Sequence, residues 1–339
     1  MKRISKITDK KLWEDFLSKK EVEMYPLFQS WNWGEVQKKL NMEVIRLGLF
    51  EHDELVGVCQ IVVIRARRGH YLHLRHGPVV APFSETLFDF FMEYIKKLGK
   101  EKNVSFIRLS PLLAKSPVIT RFFKEKKYMS APIHNMDAET CWTLPLEKTE
   151  EQLLMDMRKS HRYLIKKAPE FNLKIIKAKS LQYMSSFLRL YVDLSLRKHF
   201  VAHRGVKDEM EIFGSNDEAI MMLCKFEEKI IAGVIILFVG DMAIYHHGAS
   251  ASAYRHVPAS YVLQWEAIKE AKKRGKKLYN FWGIAPTDSK KHPWTGLTLF
   301  KQGFGGEIRE FVHAHDIPLK KLYWKTYMIE YVSKIMKGY

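Results

Sequence analysis

The chain is poor in cysteine and has no long apolar run. Its 339 residues include 3 cysteines, namely Cys59, Cys141 and Cys224, which lie far apart and form no Cys-x-x-Cys pair. This usage is typical of free thiols in a reducing compartment and argues against a disulfide-stapled scaffold. The N-terminal stretch MKRISKITDKKLWEDF has no apolar segment of the signal-peptide type, so we expect a cytoplasmic protein.

The most apolar stretch is IIAGVIILFVG, which begins at Ile230. It is too short to span a bilayer and predicts a buried strand.

Negative charge is under-represented. The 38 acidic residues face 56 lysines and arginines, which gives a net charge of +18, and hydrophobic residues make up 47% of the chain. The composition is that of a globular protein rather than a disordered one. The positive excess favours an anionic partner such as nucleic acid, a phosphorylated precursor or an acidic membrane surface; the alternative is a solvated basic face.

Two stretches repeat one pattern. FEHDELVGV begins at Phe50 and FEEKIIAGV begins at Phe226, and in both a glycine follows seven positions after the phenylalanine. Each predicts a strand, a polar turn and an apolar strand. Further strands follow, then a helix (residues 84–98 in one copy, 260–274 in the other) and another strand. The sequence therefore predicts a duplicated α/β unit.

This order of elements, an antiparallel meander followed by a helix and a strand, resembles the GNAT-type acyltransferase fold. Coenzyme A-dependent members hold the pyrophosphate at a glycine-rich turn before a helix N-terminus, where free N–H groups favour anions. Neither half has such a turn in the matching place, since RARRGH joins two strands and KRGKKL ends a helix. We predict an α/β (α+β) chain of two tandem GNAT-like domains, with no cofactor.

Several stretches carry a resemblance that keeps its order along most of the chain. They are QSWNWGEVQKKL from Gln29, LRHGPVV from Leu74, FIRLSP from Phe106, MRKSHRYLIKKA from Met157, HHGASASAYRHVPASYVLQWEAIKEAKKRGKKLYNFWGI from His246, and LFKQGFGGE from Leu299. Together they resemble the Fem aminoacyltransferases (FemA, FemB, FemX), which build peptide branches on peptidoglycan precursors. No sustained heptad run occurs, so the resemblance is to a compact form without a coiled-coil arm.

The resemblance implies that an amino acid passes from aminoacyl-tRNA to the side-chain amine of a precursor stem peptide. The precursor is UDP-MurNAc-pentapeptide or a lipid-linked form, which would bring the protein to the inner face of the membrane. We expect a monomer with GNAT-like domains over 1–145 and 146–317. A C-terminal helix over 318–339 is expected to dock on the second domain, with membrane contact as the alternative.

Lys301 is the catalytic candidate. It lies in FKQGFGG between Phe300 and Phe304, and the resemblance makes the lysine of this motif functional. A cation held where an oxyanion develops lowers the barrier to acyl transfer. We expect the two rings to restrict the ammonium group and the glycines of the motif to let a turn approach the substrate; the alternative is a surface lysine on a hairpin.

A general base is harder to find. Asp288 and His292 in PTDSKKHPW are candidates because loops carry function, although any connector has this composition. A substrate-assisted route or a solvent base are the alternatives.

An amphipathic helix is predicted from Glu150 to Ala168, with His161 as a core histidine on its apolar face. Lys159, Arg162 and Lys166 line a second stripe. This stripe is a candidate for tRNA phosphates, with a solvated helix face as the alternative.

Other candidate substrate-binding residues follow from the resemblance. Lys38 and Arg204 are candidates for the precursor diphosphate, Tyr254 for the sugar or stem peptide, and Phe300 for contact beside Lys301. Ser110 stands where the family often has aspartate. The chain also has His76 where the family often has the arginine of Arg-Gly-Pro, and a tyrosine expected after Arg204 is replaced near Asp208.

Histidine clusters raise the question of a metal. The two best clusters are His73 with His76, and His313 with His315 and Asp316. Neither has a zinc-type spacing with a third partner, so we predict no metal site.

Two other functions are compatible with the sequence. One is an acyltransferase of the same fold that uses another activated donor, such as an acyl-CoA. The other is a non-enzymatic RNA-binding protein, supported by net charge alone.

Overall fold

The computed structural model describes residues 1–66, 69–134, 137–287 and 292–336. Residue contacts divide the chain into two units. The first unit comprises Met1–Thr140, Ala285–Thr295 and Arg309–Tyr339, and the second comprises Cys141–Ile284 and Gly296–Ile308. The units are therefore not contiguous in sequence, unlike the boundaries at 1–145 and 146–317 that we expected.

The strands of the described residues are numbered β1 to β15 in chain order. They are β1 Lys2–Lys6, β2 Glu43–Glu51, β3 Glu54–Ala66, β4 Gly69–His76, β5 Val79–Val80, β6 Phe106–Pro111, β7 Met129–Ser130, β8 Thr140–Pro145, β9 Lys174–Ala178, β10 Ala219–Phe226, β11 Lys229–Val239, β12 Met242–Ser250, β13 Leu278–Gly283, β14 Glu307–Glu310 and β15 His315–Pro318.

The α-helices of the described residues are numbered in the same way. They are α1 Lys10–Leu17, α2 Trp31–Lys39, α3 Glu85–Glu101, α4 Pro117–Glu125, α5 Glu150–Asp156, α6 Lys159–Lys167, α7 Met184–Lys198, α8 Val206–Ser215, α9 Ala259–Lys273, α10 Thr295–Gln302 and α11 Tyr323–Met336. Among these described helices, none combines the length and apolar character needed to cross a membrane.

The described strands form two sheets of matching order. One runs β1-β2-β3-β4-β6-β15-β7, with β5 paired to β3, and the other runs β9-β10-β11-β12-β13-β8-β14. In each sheet four strands pair antiparallel, the fourth pairs parallel with the fifth, and the fifth pairs antiparallel with the next. The hairpins that contain Phe50 and Phe226 occupy equivalent positions, so the predicted duplication is confirmed.

A helix connects the two central parallel strands in each unit, as a parallel connection requires. These helices are α3 and α9, and both predicted helices are confirmed within a few residues. In α3, Phe88, Phe91, Met92 and Ile95 are fully buried, at the spacing of a single helix face. Ser84 caps its N-terminus by accepting a hydrogen bond from the Leu87 N–H.

The predicted strand from Ile230 is confirmed as β11. Its residues Ile231 to Val239 are all buried, and apolar side chains on both strand faces explain why the sequence shows no polar alternation there. β11 belongs to the core of the second unit together with Leu263 and Ile268 of α9.

The predicted single helix over 150–168 is wrong. It divides into α5 and α6 because Met157 and Arg158 are extended, with ψ angles of 154° and 144°. The freed N–H of Arg158 donates to the carbonyl oxygen of Gly303 at 2.9 Å. A long-range hydrogen bond thus replaces a local helical one, which no periodicity in the sequence signals.

The C-terminal helix α11 packs on the first unit, so its expected docking on the second domain is wrong. Arg108 of β6 donates to Glu330 at 2.7 Å and binds both carboxylate oxygens of Asp316, each at 2.7 Å. The Tyr323 hydroxyl donates to Asp316 at 3.1 Å, and its ring lies 5.2 Å from that of Phe106. This buried charge network holds the helix in place.

Candidate functional site

The second sheet opens between its central strands. The parallel pairing of β12 and β13 runs from Met242–Leu278 to Ile244–Asn280, and both strands continue beyond it. In the first sheet, by contrast, β4 and β6 pair from Tyr71–Phe106 through to His76–Pro111, which is the whole length of β6. The opening therefore distinguishes the second unit from its duplicate.

A bulge marks each strand where the two part. Ile235 pairs with His247 and Ile236 with Tyr245, so His246 is the extra residue of β12. The register of β13 against β8 also shifts, between Asn280 and Gly283. The Asn280 side-chain oxygen accepts from the Trp282 N–H at 2.8 Å, and Trp282 has a positive φ of 69°. These irregularities re-aim the side chains and carbonyls that face the opening.

The side chain of Lys301 reaches the end of β13. The residue itself belongs to the last turn of α10 and is 3% exposed, and its Nζ donates to the carbonyl oxygen of Gly283, the last residue of β13, at 2.5 Å. Its ammonium group also lies 5.9 Å from the ring centre of Tyr245 on β12. Lys301 is therefore a buried lysine on a helix, not the exposed hairpin lysine that the sequence left open.

Burial lowers the pKa of Lys301 from 10.5 to about 7, against a smaller opposing influence from Cys141. The physical cause is desolvation, because a low-dielectric environment penalises the ammonium form. A lysine that titrates near neutrality is a mark of functional sites.

The aromatic residues of the motif do not enclose the ammonium group as expected. Phe300 and Phe304 pack instead against His161 and Tyr261, with ring centres 4.9 to 6.3 Å apart. His161 is 5% exposed, and its Nε2 lies 3.0 Å from the Phe300 carbonyl oxygen, which confirms it as a core histidine. The ring that faces the ammonium group is that of Tyr245.

The glycines of the motif serve internal packing. A Cβ at Gly303 would lie 2.0 Å from the His161 ring, and one at Gly306 would lie 2.1 Å from the backbone oxygen of Thr143. Gly306 also has a φ of 97°, which L side chains rarely adopt. Close packing therefore explains the glycines at 303 and 306, and the expected approach of this turn to the substrate stays a prediction.

The remaining candidates of the second unit lie on its surface. Lys159 and Lys166 of α6 are exposed and Arg162 is partly exposed, so the basic stripe is accessible. Arg204 is exposed in the segment before α8, and Tyr254 packs its ring 6.1 Å from that of Phe226.

Lys38 and Ser110 belong to the first unit. Lys38 is accessible, but its Nζ lies 2.9 Å from Glu35, which also binds Arg46 at 2.9 Å. Ser110 is 3% exposed, and its hydroxyl donates to Asp137 at 2.7 Å. Ser110 therefore already has an internal partner.

Asp137 was not singled out from the sequence, yet it organises this part of the first unit. Arg75 donates to its carboxylate at 2.8 Å, and His76 contacts its backbone oxygen at 2.8 Å. Burial favours the neutral acid, but the Arg75 guanidinium outweighs it and holds the Asp137 pKa well below its usual range. The family often has an aspartate at the position of Ser110. In this chain the carboxylate beside that position belongs to Asp137, which lies 27 residues downstream of Ser110.

Of the two base candidates, Asp288 lies outside the described residues. His292 is 8% exposed, and its Nδ1 accepts from the Trp294 N–H at 3.1 Å, which is a turn-stabilising role.

The structure also shows a histidine cluster in the second unit that was not predicted from the sequence. Glu209 of α8 is completely buried, and His203, His246 and His247 surround its carboxylate. Adjacent residues on a regular strand face opposite sides, so HH in a strand-like stretch gave no signal. The cluster could not be predicted from the sequence because it depends on the bulge at His246, which brings both histidines to the same carboxylate.

The matched sheets, each with a helix between its parallel central strands, define a tandem GNAT-like acyltransferase fold. The solved structure of FemX has this fold, with a TM-score of 0.82, 15% identity, and coverage of 97% of this chain and 100% of FemX. A tandem GNAT protein from the clavulanic acid biosynthesis pathway superposes with a TM-score of 0.59 and 9% identity, covering 94% and 98% of the two chains.

The chain belongs to the FemAB family, whose model matches residues 8–138 and 214–332. Aminoacyltransferase FemA of Staphylococcus aureus (strain bovine RF122 / ET3-1) is 34% identical over 84 residues, and FemA of strain MW2 is 33% identical over 84 residues. These matches cover 25% of this chain and 20% of each relative, so they span about a fifth of the relatives' length. The predicted family and fold are confirmed.

Proposed function

We propose that the protein is an aminoacyltransferase that transfers an amino acid from aminoacyl-tRNA to an amine of a peptidoglycan-precursor stem peptide. The observation that carries the proposal is the buried Lys301 at the opening between β12 and β13. Membership of the FemAB family and the similarity to FemA support the class of reaction.

The reaction needs one bond to form and one to break. The acceptor amine attacks the ester carbonyl carbon, and a tetrahedral oxyanion forms. The ester C–O bond then breaks, the ribose oxygen leaves with the proton that the amine loses, and an amide remains. Negative charge is greatest on the carbonyl oxygen and then on the departing ribose oxygen, so a cation there accelerates both stages.

Lys301 suits this role because its ammonium form is only marginally stable in the free protein. Burial destabilises the charge, and a backbone carbonyl at 2.5 Å is its hydrogen-bond partner. An oxyanion that develops nearby would restore the stability of the ammonium. The interaction is then stronger in the transition state than in the ground state, which is the condition for catalysis.

The helices that connect the parallel central strands of the two sheets support a donor other than coenzyme A. α9 begins after Pro258, with no glycine between Ser252 and Ala259. The corresponding helix α3 is capped by Ser84 and carries Glu85 in its first turn, where a second negative charge would be repelled. The accessible basic stripe of α6, in contrast, suits the phosphates of tRNA.

The decisive experiment offers the purified protein three donors with the same acceptor. Bulk aminoacyl-tRNA, uncharged tRNA and acetyl-CoA are each mixed with UDP-MurNAc-pentapeptide, and in parallel with the lipid-linked precursor, and products are analysed by mass spectrometry. We expect the acceptor to gain one or more aminoacyl residues from charged tRNA alone. Acetyl transfer from acetyl-CoA would replace the proposal with the acyl-CoA alternative. Binding of tRNA without transfer to either acceptor would favour an RNA-binding protein.

A further inference from the structure

Four side chains from three separate segments converge inside the second unit. Glu209 lies in the first turn of α8, His203 lies in the segment before that helix, and His246 and His247 are consecutive on β12. The Glu209 carboxylate is 0% exposed. His246 Nε2 and His247 Nε2 lie 3.1 and 2.7 Å from its Oε2, and His203 Nε2 lies 2.6 Å from its Oε1.

The β12 bulge makes this convergence possible. Without it, His246 and His247 would point to opposite faces of the sheet. With His246 as the inserted residue, both imidazoles reach one carboxylate oxygen. Bulges of this kind commonly re-aim a side chain beside a functional site.

The buried charge of Glu209 needs compensation. Its carboxylate is enclosed, and imidazole nitrogens of His203, His246 and His247 lie within 3.1 Å of its two oxygens. Buried charges in proteins are paired or coordinate metal ions. Imidazole and carboxylate groups gathered around one point are usual ligands of a divalent ion, which would supply the compensating positive charge.

The donor set also has suitable geometry. One ligand atom from each of Glu209, His246 and His247 lies within 4.8 Å of the other two. Bonds of about 2.0–2.2 Å around tetrahedral zinc separate neighbouring ligand atoms by about 3.3–3.6 Å, so small outward shifts admit an ion. Two imidazoles and a carboxylate form a nitrogen-rich set that favours zinc over magnesium or calcium.

We propose that Glu209, His246 and His247 form a zinc site, with His203 as the outer partner that orients the Glu209 carboxylate. Three protein ligands leave a fourth position for water or another small ligand. His203 binds the other carboxylate oxygen, as second partners of metal-binding carboxylates do.

The proposed site ties a loop to the sheet. His203 directly precedes Arg204, and its imidazole ring stacks on that of His247, with ring centres 5.9 Å apart. Zinc bound by Glu209 and β12 would therefore fix the segment that carries Arg204. Metal content is independent of transferase activity, so this inference and the proposed function can fail separately.

The test measures metal directly on the full chain. The protein is purified with a tag that lacks histidine, stripped with a chelator, incubated with Zn²⁺ and passed through a desalting column. We expect about one zinc per chain by mass spectrometry of the metal, and Co²⁺ substitution should give the visible absorption of a low-coordinate nitrogen–oxygen site. A wild-type chain that retains no zinc, or a Co²⁺ spectrum of the hexaaqua ion, would overturn the proposal.

Variants locate the ion. Glu209→Gln and His247→Phe should bind no zinc at concentrations that saturate the wild type, whereas His203→Ala should bind about 10–100-fold more weakly. The control is His199→Asn, since His199 is an exposed histidine of the same unit in a left-handed conformation that asparagine tolerates. Circular dichroism of the stripped proteins checks folding. If folded Glu209→Gln retains full zinc binding, or if His199→Asn loses it, the assigned ligands are wrong.

Discussion

The Lys301 ammonium nitrogen lies 2.5 Å from the carbonyl oxygen of Gly283, the last residue of β13. This hydrogen bond joins the helix of the FKQGFGG motif to the strand at which the second sheet opens. The lysine is thereby positioned by a backbone carbonyl rather than by a carboxylate. Its charge is compensated by a backbone dipole, and this arrangement leaves the ammonium responsive to a new negative charge.

Replacement of Lys301 by methionine tests the catalytic role. Lys301→Met keeps a side chain of similar length and removes its charge. We therefore expect kcat to fall by about 10²–10³-fold with little change in precursor affinity. Lys301→Arg should rescue only partly, because a planar guanidinium does not reproduce a point charge in a closed site.

The matched control is Lys276→Met. Lys276 also donates to a backbone carbonyl, that of Gly240 at 2.6 Å, and burial also lowers its pKa. Lys276 lies before the start of β13, whereas Lys301 binds the last residue of that strand, where the sheet opens. Lys276→Met should therefore leave kcat unchanged. Normal turnover by Lys301→Met, or loss of precursor affinity with kcat intact, would rule out the proposed role.

The lowered pKa of Lys301 also predicts a pH-dependent stability. Between pH 7 and 10.5 the unfolded lysine binds a proton and the folded one does not. The free energy of unfolding of the wild type should therefore rise with pH in this window relative to Lys301→Met, by about 1.4 kcal/mol per pH unit. Urea unfolding of both proteins at several pH values measures the difference. A constant difference from pH 7 to 10 would show that the lysine titrates normally.

The close packing around the glycines of the motif can be tested by glycine-to-alanine substitutions, each of which adds one methyl group. Gly303→Ala places a Cβ against the His161 ring and should destabilise the protein by about 1–3 kcal/mol. Gly306→Ala should cost more, because it meets a backbone oxygen at an unfavourable φ.

Gly296→Ala is the control, since nothing lies within 4 Å of the position that its added methyl group would take in α10. It should be neutral or stabilising, by up to about 1 kcal/mol. Thermal unfolding compares the three variants, and the double variant Gly303→Ala/His161→Ala should lose less stability than the two single effects added. Equal stability of Gly303→Ala and Gly296→Ala would refute the packing role.

The network that anchors α11 should be sensitive to the loss of one partner. Arg108→Met leaves Asp316 buried without its cation, so we expect a loss of about 3–5 kcal/mol. Arg108→Met/Asp316→Leu should recover much of this loss, because the fully buried carboxylate of Asp316 is then absent and the remaining partner, Glu330, is 21% exposed. Arg121→Met is the control, since its pair with Glu125 is about two-thirds exposed and should contribute less than about 1 kcal/mol. Chemical denaturation reports all three; equal effects of Arg108→Met and Arg121→Met would contradict this account.

The basic stripe of α6 predicts salt-dependent tRNA binding. Each neutralised phosphate contributes about 0.7–0.9 to the slope of log affinity against log salt. Lys159→Gln/Lys166→Gln should therefore weaken binding and make that slope less steep by up to about two phosphates. Removal of the same charge from the first unit, by Lys100→Gln/Lys124→Gln, should leave the slope unchanged. Fluorescence anisotropy across a salt series measures it, and identical slopes for both pairs would exclude the stripe as the tRNA contact.

The sequence alone determined the duplicated architecture. Glycine seven residues after Phe50 and after Phe226, the apolar strand from Ile230 and the amphipathic helices are local patterns. Such patterns act through neighbours a few residues apart, where period and turn chemistry control the backbone. The family resemblance and the candidate Lys301 came from the same local stretches.

The tertiary structure decided what surrounds those residues. The break at Arg158 depends on Gly303, the partner of Ser110 is Asp137, and the Lys301 pKa depends on burial beneath strands distant in sequence. The convergence on Glu209 required a bulge in β12 and the approach of α8. Such features arise from contacts between segments brought together only by folding, so no spacing along the chain encodes them directly.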